Sequence, residues 1–419
     1  MTREPSSVGA LPGPAGPPAV PGPELADPSC AAASRALPPR RHDIDWLRVL
    51  AMLGVFFFHN ARFFDDLSWH VKNAEHSKVA LAFVGFLSLW LMPLLMLVAG
   101  AGSWFALESK TGGRYMLERG KRLLVPLYTV GLLVLIPPQF YWDQVTNNRF
   151  DGSFLESCSS FLGTIELRPG LQFLNFWSGH LWFLRSLFLY SALSLPLLLY
   201  SKSGSGGRSI LRLSGWCDRR GGIFLFVLPI LAVQVGLSPL LAGARVGADF
   251  AYLLVFFISG YVLVADARFT RAIQRSGRLC LFLGAATFSI LAYLVLGRGY
   301  MGWQSPDYSL PCMAFRAATS LCTWCWLVLF LGLASSHLNS GSRLLAYANE
   351  AVLPFYLLHQ TVILAIGWYV VPWHASMALK YAVITATSFV AIMAIHELVI
   401  RRANVCRALF GMRMKTRIQ

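Results

Sequence analysis

The sequence predicts an all-α, polytopic integral membrane protein of about ten transmembrane helices with both termini cytoplasmic, and three observations lead there. First, 56% of the 419 residues are hydrophobic and only 13% are charged, against roughly 25% charged in an ordinary soluble domain. That leaves too little polar surface to coat a water-soluble particle, so soluble enzyme folds are excluded as the main body. Second, ten stretches are apolar over the about 20 residues needed to cross a hydrocarbon core of ~30 Å. Third, basic residues alternate along the chain between dense and sparse segments. The formal net charge of +16 therefore speaks to topology, and no nucleic-acid partner is expected. Eight cysteines spread over this length do not make a disulfide framework.

Taken in order, residues 1–42 hold ten of the 22 prolines, with Gly, Ala and Ser between them. No apolar run sits behind a basic start, so this is not a cleavable signal peptide. Such a composition buries too little apolar surface to offset its ordering entropy, and the segment is expected to be a disordered tail. Spans are expected near 45–65, 79–106, 123–142, 180–200, 223–241, 248–266, 279–297, 311–334, 350–371 and 377–400, within a membrane domain of residues 43–402. The fifth and sixth are parted only by Leu241 to Gly247, and Pro229 and Pro239 are candidates to kink the fifth. A short basic loop at 107–122, a long segment from Asp143 to Gly179 that suits a cap over an outward cavity, and a basic tail at 403–419 complete the plan.

The charge bias checks the span count. Segments on the side of the N-terminal tail carry 25 Lys and Arg, the opposite side carries eight, and Arg48, Arg185 and Arg316 fall inside spans. Positive charge stays in the cytoplasm, which puts both termini there and makes this a multi-pass cell-membrane protein. An odd number of spans would scramble the alternation.

Ionisable groups inside spans are costly and point to function. The first span holds Arg48 and His59, eleven residues apart. At 3.6 residues per turn they share a helix face, separated by ~16 Å along the axis. A snorkelling arginine and a packing histidine would give the same stripe, but histidine is also the side chain suited to moving a proton near neutral pH. The fourth span opens Ser178-Gly179-His180-Leu181-Trp182, placing His180 at the outer mouth, where His and Trp are also ordinary interfacial anchors. In the ninth, Asn349-Glu350 lies at the cytoplasmic end with His359-Gln360 deeper; interhelical hydrogen bonding is the expected fate of Gln360. Arg119 and Arg122, before the third span, satisfy the positive-inside bias, suit anionic lipid and match phosphate geometry. Cys322 and Cys325 have redox spacing but lie in an apolar span with no cation to stabilise a thiolate, and read as small packing residues. No phosphate-binding loop and no metal-ligand spacing is found, so neither a metal site nor a tightly bound cofactor is expected.

Together these residues resemble the family 3 membrane acyltransferases. The carriers are Arg48 and His59 separated by ten residues in the first span, Arg119 and Arg122 separated by two before the third, and the segments Gly-His-Leu-Trp-Phe-Leu (179–184) and Asn-Glu-Ala-Val-Leu-Pro-Phe-Tyr-Leu-Leu-His-Gln (349–360). Within the family they look most like its glucan-biosynthesis branch. The resemblance runs from about Asp43 to Arg402.

The resemblance implies an O-acyltransferase that takes acyl-CoA, as co-substrate, from the cytoplasm and delivers an acetyl- or succinyl-like group to a hydroxyl at the outer face, commonly of a carbohydrate. On that footing Arg119 and Arg122 hold the CoA phosphates, His59 is the general base, and Arg48 positions or contacts phosphate. His180 would help bind the acceptor, Glu350 would organise Arg48 or Arg119, and His359 would support the site. The rival from another class is a polar-solute transporter using the same intramembrane charges as a permeation path; a sensor with packing histidines is a third. No internal repeat favours a transporter, and that reading leaves the paired arginines without a role.

Overall fold

A computed structural model describes residues 1–2, 9, 40–163, 179–240, 245–300, 302 and 307–415. Most of the Pro-rich segment expected to be a disordered tail lies outside the described residues. The helical unit begins at Arg41, and its described residues contain no strand.

The helices are α1 (His42–Ala61), α2 (Lys78–Glu108), α3 (Gly112–Thr146), α4 (Phe154–Gly163), α5 (Gly179–Ser201), α6 (Gly204–Cys217), α7 (Gly222–Leu240), α8 (Arg245–Leu263), α9 (Ala267–Gly297), α10 (Leu310–His337), α11 (Arg343–Val370), α12 (Met377–Ile400) and α13 (Asn404–Leu409). Among the described residues nine of these are long and apolar enough to cross a membrane: α1, α2, α3, α5, α7, α9, α10, α11 and α12. The apolar part of α8, Gly247–Leu263, is shorter. Every expected span thus has a helix, and the shortest apolar stretch among them falls at the sixth.

Helix starts follow local chemistry. Ser77, Thr111, Ser203, Asp266, Ser342 and Ser376 each accept a backbone N–H with their side-chain oxygen at the head of a helix, satisfying a donor that the helix leaves free. Two of these caps change the expected plan. Thr111 starts α3 well before residue 123, so the basic segment expected as a loop over 107–122 is largely helical, and Arg119 and Arg122 stand three residues apart on one face. Asp266 likewise starts α9 at residue 267 rather than 279, and Arg268 beside it holds its carboxyl below the usual range. Within α3 the backbone widens to π-helical turns over Leu127–Leu135, between Pro126 and Pro137, where missing N–H donors disturb the regular ladder.

Helix α1 is central, packed against α2, α10, α11 and α12, while α9 pairs with α10, α2 with α8, and α3 with α5. The α2–α8 contact depends on glycine. A Cβ on Gly100 would lie 1.8 Å from the Phe257 carbonyl oxygen, and one on Gly260 would lie 1.9 Å from that of Leu97. Backbone-to-backbone approach of this kind is how helices gain van der Waals contact in lipid, where no hydrophobic force separates them from their solvent. Gly100→Ala is therefore expected to destabilise the bundle by at least the ~1–3 kcal/mol typical of overpacking, read as a lower melting midpoint in detergent. An unchanged midpoint would mean that α2 and α8 can part without loss.

The segment at 143–179 is only partly described: α4 packs on the end of α3 through Phe161 and Phe140, ring centroids 5.3 Å apart, and residues 164–178 of the expected cap lie outside the described residues. The segment expected as a tail at 403–419 carries α13, tied down by an Arg407–Glu350 ion pair of 2.8 Å. Cys322 and Cys325 are fully buried, as packing residues should be.

Candidate active site

Three arginines face one cavity. Arg119 Nη2 donates to Ser103 Oγ at 2.8 Å, and its guanidinium lies 5.3 Å from the Tyr115 ring centre. The Tyr115 hydroxyl donates to the same Ser103 oxygen at 2.9 Å. Arg122 Nε donates to the Gly411 carbonyl at 3.3 Å, so the C-terminal segment helps hold it. From α1, Arg48 Nη1 donates to Asp45 at 3.1 Å and to the Asn349 side-chain oxygen at 3.4 Å. All three line a cavity of about 290 Å³ whose walls include Met52, Val98, Leu187 and Leu353 and which reaches Tyr356. Lys110 and Glu118, paired with each other, line it too, so cations outnumber carboxylates beside an apolar wall, an excess that favours an anion with a neutral arm.

At Tyr356 the cavity meets a cluster of imidazoles. His359 Nδ1 donates to the Tyr356 carbonyl at 2.6 Å. That bond fixes the tautomer and leaves Nε2 as an acceptor, for which no partner exists among the described residues. His180 Nε2 lies 3.2 Å from the carbonyls of both Tyr356 and Leu357, and Nδ1 lies 3.3 Å from Gln139 Oε1. The Tyr356 hydroxyl donates back to the His180 carbonyl. The His359 ring centre is 5.0 Å from that of His59 and 4.9 Å from that of His180. His59 is half-buried, and its Nδ1 likewise has no partner among the described residues. Gly179, at φ 47°, turns the chain into the short 3₁₀ turn that carries His180; that left-handed conformation suits glycine.

The strap between α1 and α2 closes the cluster. Trp69 stacks obliquely on His59 at 5.9 Å. His70 Nδ1 lies 3.1 Å from Asp143 Oδ1, and its Nε2 lies 3.0 Å from Gln360 Nε2. With the Gln360 amide donating, His70 is protonated on Nδ1 and donates to Asp143. The strap itself is anchored. Asp65 accepts from Arg62 and, at 2.8 Å, from Lys72, and Lys380 reaches Asn73 at 2.9 Å. Burial holds the Lys72 ammonium below its ordinary range even with Asp65 beside it. These contacts tie the strap down beside the site.

The structure thus gathers Arg48, Arg119 and Arg122 around one end of a cavity and His59, His180 and His359 beyond its other end. Three expectations change. His180 does not open onto a mouth; it is only 6% exposed and sits inside the histidine cluster, because its turn folds inward onto α11. Glu350 does not organise Arg48 or Arg119. Its ion pairs are with Arg407 at 2.8 Å and Arg401 at 3.7 Å, since the C-terminal segment returns to this end of the bundle, while its neighbour Asn349 takes Arg48. Gln360, expected to bond another helix, bonds the strap histidine instead. Sequence reasoning gave no role to Tyr356, Gln139, His70 or Asp143. Gln139 carried a signal, as a lone amide within an apolar span; His70 and Asp143 are 73 residues apart and carried none.

Comparison with known proteins adds an independent finding. A family profile described as an acyltransferase domain, of the acyltransferase 3 type, matches residues 41–397. Proteins named "Glucans biosynthesis protein C" from Salmonella paratyphi B, Salmonella dublin and Salmonella enteritidis are each 25% identical to this chain over 360 residues, covering 80% of it and 85% of their own length. No solved structure matches it.

Proposed function

This chain belongs to the acyltransferase 3 family and is a membrane acyltransferase, and we propose that it moves an acyl group from cytoplasmic acyl-CoA to a hydroxyl of a carbohydrate acceptor at the outer face. The single observation that carries this reading is the cavity joining Arg48, Arg119 and Arg122 to Tyr356, whose carbonyl holds His359 beside His59. In this reading the Arg48 end of the bundle and both termini are cytoplasmic. The nucleotide phosphates rest on the arginine forks, and the pantetheine arm runs past Met52 and Leu353 over the ~16 Å that eleven helical residues span.

The acceptor hydroxyl oxygen attacks the thioester carbonyl while His59 takes its proton. The C–S bond then breaks, the acyl oxygen ester forms, and the CoA thiolate leaves, receiving the proton held by His59. His359 fits as a supporting group, because the Tyr356 carbonyl fixes its proton on Nδ1 and leaves the lone pair on the buried Nε2 without a partner among the described residues. The apolar passage excludes water that would otherwise hydrolyse the thioester. The carbohydrate acceptor rests on the names of the relatives and on the family resemblance.

The test needs no knowledge of the acceptor. Purified protein in detergent is heated with a panel of CoA thioesters of increasing acyl length. One of them is expected to raise the melting midpoint, since a ligand that binds only the folded state stabilises it by about 2.7 kcal/mol at a hundredfold excess over its Kd. Absence of any shift at millimolar thioester would overturn the donor assignment and favour a solute transporter, for which flux into liposomes is the next measurement.

A further inference from the structure

A second cavity, of about 550 Å³, lies between α2, α7, α8, α9 and α10. It is in the same half of the bundle as His59. The strap's Leu67 lines it, two residues from Trp69, and Thr323 on its wall donates to the Leu89 carbonyl at 2.9 Å, tying α10 to α2. Most of the lining is apolar, including Val84, Phe288, Leu291 and Val295. Into it projects Arg316, six residues after the start of α10 and so about 9 Å along that helix.

Arg316 is 8% exposed. Its hydrogen bonds go to Gln234, to Oε1 at 2.8 Å and to the carbonyl at 3.4 Å, and its buried Nε has no partner among the described residues. A guanidinium inside a membrane bundle is costly unless an anion meets it; the Asp249 carboxylate shares this cavity, but the hydrogen bonds of Arg316 go to the neutral Gln234. Its spare donors present the fork that matches an oxyanion. Ser238, Tyr252 and Thr319 also reach this cavity and suit a larger head carrying hydroxyls next to its anion. The Asp249 carboxylate, also on the wall, can accept from such hydroxyls but repels the anion itself, which therefore belongs at Arg316. Gly85 of α2, also on the wall, has no heavy atom within 4 Å of where a Cβ would lie, so the cavity is open on that side. We propose that this cavity binds a phospholipid, its phosphate on Arg316, its polar head among the α7, α8 and α10 side chains and an acyl chain along the apolar wall. This site is separate from the thioester passage and does not depend on the reaction proposed above.

The experiment uses the full chain in a neutral maltoside detergent and three probes sharing one palmitoyl chain: lysophosphatidylglycerol, monopalmitoylglycerol and palmitate. Native mass spectrometry reads retention, and the melting midpoint reads stabilisation. Lysophosphatidylglycerol is expected to bind at least tenfold more tightly than the other two, and Arg316→Gln is expected to remove that preference. Equal binding of the neutral glyceride, or an unaffected Arg316→Gln protein, overturns the site. Equal binding of palmitate overturns the phosphate head and makes this a fatty-acid pocket. Should Arg316→Gln fail to fold, Gly85→Leu leaves the arginine intact and fills the cavity from its open wall. Loss of the lysophospholipid in that variant supports the proposal, and retention overturns it.

Discussion

Alanine in place of His59 is expected to lower acyl transfer by roughly 10²–10⁴-fold, the range that a general base supplies, while thioester binding stays close to that of the unaltered protein. The split follows from position. The arginines that would hold the phosphates lie at the far end of the passage from the imidazole cluster, so removing His59 takes away the proton acceptor without touching the anion site. His59→Gln sharpens the test, because an amide keeps much of the size and hydrogen bonding but takes no proton; it should be as inactive as alanine. Turnover is read with the thioester identified by thermal stabilisation, and binding by the size of that stabilisation. Normal turnover in either variant would remove His59 from the chemistry and shift attention to His359, whose Nε2 is the other imidazole nitrogen of the cluster left without a partner among the described residues.

The second large effect is the converse. Arg119→Ala combined with Arg122→Ala should weaken thioester binding by about 10²–10⁴-fold, since two charge-assisted hydrogen bonds at ~1.5–3 kcal/mol each are lost. Arg119 also braces Ser103 and lies over Tyr115, so part of any loss could come from packing. The lysine pair separates the two: Arg119→Lys with Arg122→Lys keeps the charge and the stem but not the fork, and should recover only part of the affinity. Binding should also fall with added salt in the unaltered protein and do so less steeply in the alanine pair. Thioester affinity unchanged in the alanine pair would mean that the arginines serve lipid or topology alone.

Legibility in the sequence varies by element. Among the described residues, every helix long enough to span is legible in the sequence, because a run of about 20 apolar residues has one stable answer in lipid. Helix starts were less legible. Residues 112–122 read as a loop because they are charged, yet Thr111 caps them and their polar face needs no burial. The Arg48–His59 stripe was visible because a helix repeats by local geometry. The partners of those residues were not. Glu350 and Asn349 are neighbours in sequence, and only the return of the C-terminal segment decides that Asn349 meets Arg48 while Glu350 meets Arg407.

The sequence by itself determined an all-helical membrane protein, the face shared by Arg48 and His59, and the family whose landmarks it carries. These depend on hydropathy and helical periodicity, which act over a few turns. Only the tertiary structure decided that His180 and His359 join His59 and that Tyr356 ends the arginine-lined passage. It alone set His70 between Asp143 and Gln360 and turned Arg316 into a second cavity. Those arrangements depend on which helix faces meet. In lipid that is governed by close packing at small residues and by the pairing of a few polar groups, interactions whose partners lie tens to hundreds of residues apart along the chain.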